Sequence, residues 1–222
     1  MTQDWLLWQL IDSAFPTGGF AHSGGLEAAR QAREISDDPD DFLQFIHTTL
    51  RQTIAGSFPY IRAAHASPGE IERLDRHCDA FLSNRVANRA SRAQGSGLLA
   101  TATKAFPDFD FRPLRAAARR GDWPCHLPVV HGVVMARMEI AREETLRSFL
   151  YVTLRTLLSS AIRLNIIGPL KCQAIQHEFA PIAERLLRTA PDTPYTQAVQ
   201  MSPMMDVLQA SHDRLYSRLF HS

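Results

Sequence analysis

Residues 143–165, EETLRSFLYVTLRTLLSSAIRLN, decide the fold class. Leu146, Phe149, Leu150, Thr153, Leu157, Ala161 and Ile162 recur at three- and four-residue steps, the spacing that lines one side of an α-helix. Glu143 and Glu144 stand in the first turn, where carboxylates meet the positive end of the helix dipole. No two-residue alternation of a half-buried strand runs through the stretch.

The helical period continues outward on both sides. Upstream it predicts a helix over 128–141, and downstream, past Gly168-Pro169, another over about 170–190. Near the start, Asp4 caps a short helix, WLLWQLI, which ends in the loop 13–20, and residues 26–33 read as a second helix. The Asp37-Asp38 pair reads as capping charge. Pro39 takes a first helical position with Asp40 and Asp41 beside it, and Phe42, Phe45, Ile46, Thr49, Leu50 and Ile54 follow until Gly56 and Pro59 interrupt.

Ser67-Pro68-Gly69-Glu70 has the form of a capping box opening a helix through Ile71, Leu74, Cys78, Phe81 and Leu82. That helix is expected to run to about Gln94, where Gly95 and Gly97 loosen the chain. FPDFDFRP reads as a turn or loop, RAAARR as a short helix, and Met201–Asp206 as irregular. Leu208, His212, Leu215 and Leu219 fall on one face of a last amphipathic segment. An all-α fold follows, a single compact domain of about ten helices over 1–222.

Composition agrees. Alanine and leucine number 52 against 20 for valine and isoleucine, and unbranched side chains lose less rotamer freedom in a helix. With 45% apolar and 21% charged residues the chain can bury a core. The net charge of +1 argues against a broad cationic surface for nucleic acid, although 22 of the 24 basic residues are arginine. No apolar run reaches the ~20 residues that span a bilayer, and MTQDWLLWQL lacks a basic leader, so a soluble cytoplasmic protein with no membrane partner is expected. Cys78, Cys125 and Cys172 form neither a CxxC pair nor an even set, and read as reduced thiols.

Catalytic chemistry finds no foothold. The clusters Gly18-Gly19 and Gly24-Gly25 match neither GxxxxGK[ST] nor GxGxxG, and read as turns with positive φ that let helices approach. The nine histidines include no HExxH-like pair; the nearest, His126 with His131 and His212 with His221, lack a chelating step. No GxSxG and no activated cysteine is present. No catalytic residue, metal ligand or cofactor is assigned.

Surfaces are more informative. The glycine-dense loop also holds Phe15, Phe20, His22 and Ser23, a composition suited to recognition. Asn84, Asn88 and Ser91 share one helical line, and Arg85, Arg89 and Arg92 the next, with no acidic partner nearby in sequence. The arginine line is either a solvated face or an interface. The tail, 201–222, either docks on its own core or stays flexible and orders on a partner, and the sequence leaves both open.

LLWQLIDSAFPTGGFAHSGGLEAA, residues 6–29, resembles the N-terminal signature of the UreF family of urease accessory proteins. NRASRAQGSGLL, HLPVVHGVV, IRLNIIGPLKCQ and the ending SHDRLYSRLFHS resemble further blocks of that family in the same order, so the likeness spans nearly the whole chain. The resemblance implies an all-α homodimer without a reaction of its own. It implies an adaptor that binds UreD (UreH in some organisms) and recruits the GTPase UreG to apo-urease, so that nickel insertion, and nickel binding, belong to the assembly. An alternative it leaves open is activation of UreG's GTP hydrolysis by an arginine, with Arg85, Arg89 and Arg92 as candidates.

The resemblance places Gly18, Gly19, Ser23, Glu27, Arg89 and Arg92 on the UreG side, with Glu27 foremost, and His212, Arg218, Leu219 and Phe220 on the UreD side. Two positions depart from the family: Pro169 stands where bacterial members carry glutamine, and His22 where an aromatic residue is common.

Overall fold

The computed structural model describes residues 2–36 and 38–222, so Asp37 of the Asp37-Asp38 pair lies outside the described residues. These residues form α1 (Gln3–Ile11), α2 (Leu26–Gln31), α3 (Pro39–Gln52), α4 (Phe58–Ala66), α5 (Ile71–Phe81), α6 (Arg85–Ala105), α7 (Arg112–Arg120), α8 (Leu127–Arg137), α9 (Arg142–Arg163), α10 (Pro169–Thr189) and α11 (Pro203–Ser211), with no strand among them. The all-α expectation holds. Asp38 caps α3 by accepting the Asp40 amide at 3.0 Å, with Pro39 behind it.

Two apolar clusters meet at α4. Tyr60 and Ala64 face one, built from α1, α5, α6 and α8. Phe58 and Ile61 face the other, built from α2, α3, α9 and α10. Gly132 on α8 makes the α4 crossing possible, because a Cβ there would lie 2.5 Å from the Ile61 carbonyl oxygen and 2.9 Å from Ala64 Cβ.

Several boundaries differ from the expectation. The helix expected from Ile71 to Gln94 breaks at 82–84, where Asn84 caps α6 by accepting the Val86 and Ala87 amides at 3.0 and 3.3 Å. Gly95 and Gly97 do not loosen the chain; they lie inside continuous α6. Their missing side chains let other backbone in: a Cβ on Gly95 would stand 2.9 Å from the His126 carbonyl carbon, and one on Gly97 2.9 Å from that of Thr17. Ser67 makes no side-chain cap, and residues 68–70 instead form a 3₁₀ turn leading into α5.

Gly56 and Pro59 widen the helix rather than end it. Thr53–Ser57 is a π turn joining α3 to α4. Pro59 has no amide to give the Ala55 carbonyl, which accepts from Val199 N at 3.2 Å instead. Gln52 adds to this seam, its Oε1 accepting the Met201 amide at 2.5 Å and its Nε2 donating to Gln200 Oε1 at 2.6 Å. The chain before the tail is thereby stitched to the α3–α4 junction. The segment expected to be irregular, Met201–Asp206, turns helical at Pro203, whose fixed φ suits a first helical position. After Ser211 the chain turns, and Leu208, His212, Leu215 and Leu219 do not share one helix face.

Candidate functional site

The glycine loop and the tail form one knot. Gly18, Gly24 and Gly25 have φ of +81°, +63° and +90°, as the turn reading expects, and Gly25 leads directly into α2. α2 is only six residues long, and Leu26, Glu27, Ala28 and Ala29 are all buried. Burying a carboxylate demands hydrogen-bond donors. Glu27 finds them in the tail: Oε1 accepts the Leu219 amide at 2.6 Å and Oε2 the Phe220 amide at 3.1 Å.

Around this clasp the last residues close over the loop. Ser23 donates its amide to Ser222 O at 2.6 Å and its hydroxyl to the same oxygen at 3.1 Å. The His221 amide donates to Ala21 O at 2.8 Å, and His22 Nδ1 lies 2.5 Å from Ser222 Oγ. Phe220 is buried beneath Arg163, whose guanidinium carbon stands 4.1 Å from its ring centroid and 3.8 Å from that of Phe20. His212 is fully buried, with Nε2 at 3.2 Å from Phe220 O and Nδ1 3.9 Å from Glu27 Oε2 without a hydrogen-bond partner. Farther out, Arg89 forms a two-pronged pair with Asp213 at 2.7 and 3.1 Å, the acid its own sequence neighbourhood lacks.

Three residues expected on the UreG side and three expected on the UreD side meet in this one knot. Ser23, Glu27 and Arg89 touch the same strap that carries His212, Leu219 and Phe220. Ser23, Glu27, His212 and Phe220 are buried, whereas Gly18, Arg89, Arg92, Arg218 and Leu219 are exposed and Gly19 is half-buried. Of the two arrangements the sequence leaves open for the tail, this structure has it packed on the core.

A second polar centre explains other motif residues. His126 is buried between Ser91 Oγ, 3.1 Å from Nδ1, and Asp79 Oδ1, 3.0 Å from Nε2. Asn88 Nδ2 donates to the same Asp79 oxygen at 2.9 Å. Thus the Asn84–Asn88–Ser91 line faces inward and is satisfied. Asp75, also fully buried, accepts the Cys125 and His126 amides at 2.5 and 2.8 Å and so caps the approach to α8. Its burial raises its carboxyl pKa above the usual range. Sequence reasoning missed Asp75, although its position beside Leu74, on the face of Ile71 and Cys78, marks it as an acid on an apolar stripe.

The thiols offer no nucleophile: all three cysteines are free and buried, and burial pushes Cys125 up to about 12. Among the described residues no group of three or more His, Cys, Asp or Glu is placed to hold a metal ion, and no helix is long and apolar enough to cross a membrane.

Burial lowers the pKa of both His22 and His131 from 6.5 to about 4. Folding thus holds both imidazoles neutral where the unfolded chain protonates them. Stability should be complete above about pH 6.5 and fall as pH drops from there toward 4. At pH 5 the loss is about 2 kcal/mol for His131 and less for His22, which water screens in part. Urea unfolding at pH 7.5 and 5.0 checks this; equal midpoints would refute it.

The family model described as UreF matches residues 36–180. Urease accessory protein F of Arabidopsis thaliana is 40% identical over 98% of this chain and 92% of its own length. Urease accessory protein F of Oryza sativa subsp. indica is 37% identical over 97% and 84%. Urease accessory protein UreF of Trichodesmium erythraeum is 31% identical over 96% and 94%. The family model spans more than half of the chain and the relatives cover nearly all of it: the chain belongs to the UreF family of urease accessory proteins.

Proposed function

We propose that this protein is a non-enzymatic adaptor in urease maturation, acting in the cytoplasm as a homodimer that binds UreD/UreH and brings UreG to apo-urease. The observation that carries the reading is a tail whose inner side is locked to the core while its exposed side carries five large apolar side chains among polar ones. Met201, Met204, Val207, Tyr216 and Leu219 are exposed, Tyr216 completely. Exposed apolar groups on one continuous segment are costly unless a partner covers them.

UreD/UreH is assigned to this outer side, with Arg218 and Leu219 in direct contact and His212 and Phe220 shaping the strap from beneath. UreG is assigned to Gly18, Gly19 and Arg92, with Ser23, Glu27 and Arg89 acting through the tail they hold. Nickel is the cargo of the assembly.

Co-expression of the M204D/V207D variant with UreD/UreH tests this. Both side chains point to solvent in the free chain, so melting should be unchanged while recovery of the complex falls at least tenfold. Undiminished recovery would remove the tail from the UreD/UreH interface. In the wild-type complex, light scattering should find two copies of this chain; one copy would end the dimer assignment.

A further inference from the structure

Charge on this chain is segregated. Against a net charge of +1 for the whole, residues 85–120 hold eight cationic side chains and only two carboxylates. Arg112 pairs with Asp110, and Arg120 with Asp122 outside that span. Arg92 on α6 and Arg115 and Arg119 on α7 have no ion pair among the described residues, and all three line one recess of about 450 Å³ between the two helices. Leu99, Ala100 and Pro124 also line it.

Three guanidiniums brought to one concavity from two helices repel each other. Among the described residues no carboxylate lines the recess, and only Asp79, outside the lining and already holding Asn88 and His126, lies within electrostatic reach of Arg92. We propose that this recess docks an acidic segment of a protein partner, its carboxylates received by Arg92, Arg115 and Arg119 and its apolar side chains by Ala100 and Pro124, over a floor closed by buried Leu99. A guanidinium fork matches a carboxylate in two-pronged geometry, and an apolar lining suits side chains flanking the acids. No aromatic ring lines the recess on which a base could stack, which disfavours a nucleotide or nucleic acid. The inference shares Arg92 with the residues proposed to face UreG, but its test uses the isolated chain and a peptide, so its failure is distinguishable from failure of that assignment.

The test uses the full-length protein and a fluorescein-labelled peptide of alternating glutamate and leucine, read by fluorescence anisotropy. Arg92 and Arg119 are exposed, so R92E/R119E should fold, and R92Q/R119Q provides a milder replacement. The control R185E/R188E makes the same charge change on exposed positions of α10. Binding weakened more than tenfold in R92E/R119E, severalfold in R92Q/R119Q, and less than twofold in the control supports the site. Equal loss in the recess and control variants overturns it, as does no binding by wild type. Displacement of the peptide by 1 mM inorganic phosphate or GTP, or tighter binding of a single-stranded RNA than of the peptide, also overturns it.

Discussion

Glu27→Ala should free residues 212–222 from the core without unfolding the rest. The carboxylate takes two backbone amides, from Leu219 and Phe220, and both lose their acceptor in the variant. A hydrogen bond to a charged group contributes about 1.5–3 kcal/mol, so the pair accounts for about 3–6 kcal/mol if the strap stayed shut. The strap avoids that cost by opening. Its remaining ties, through Ala21, His22, Ser23, Arg163 and Arg89, hold other groups of the strap but cannot satisfy those amides.

Hydrogen exchange at 218–222 should therefore accelerate by roughly a hundredfold or more, while α8 and α9 keep their protection. Glu27→Gln, which keeps one acceptor oxygen, should fall between the two. If exchange in the tail is unchanged in Glu27→Ala, Glu27 is not the clasp. On the proposed function, the variant should also capture less UreD/UreH and UreG, through loss of a presented surface and not through loss of a direct Glu27 contact.

This consequence separates what was legible in the sequence from what was not. The period of residues 143–165 became α9, and Pro39 with its flanking acids became the start of α3, because both signals are local. The glycine turns at 18, 24 and 25 were likewise legible from their composition. Glu27 was marked by the family resemblance, but its role depends on amides nearly two hundred residues away. Arg89 and Asp213 pair across 124 residues, so the sequence could not separate the paired arginine of that line from the others. Tail order had the same obstacle, since the seam between Ala55 and Val199 exists only because Pro59 leaves a carbonyl open.

Glycines inside helices taught the reverse lesson: propensity suggested weakness where packing demanded absence. A glycine costs a helix about 1 kcal/mol relative to alanine, so Gly132→Ala would stabilise an isolated α8. In the folded chain the added Cβ would enter the α4 backbone, 2.5 Å from Ile61 O and 3.1 Å from His65 N. Neither is the movable end of a side chain, so α4 and α8 must separate, and both apolar clusters meet at α4. Overpacking of this kind costs about 3 kcal/mol or more once the helix gain is offset, lowering Tm by roughly 6–12 °C for a chain of this size. Gly69→Ala is the control: nothing lies within 4 Å of its added Cβ, and it should melt within about 2 °C of wild type. A Gly132→Ala protein as stable as wild type would mean that α4 and α8 do not cross as closely as 2.5 Å implies.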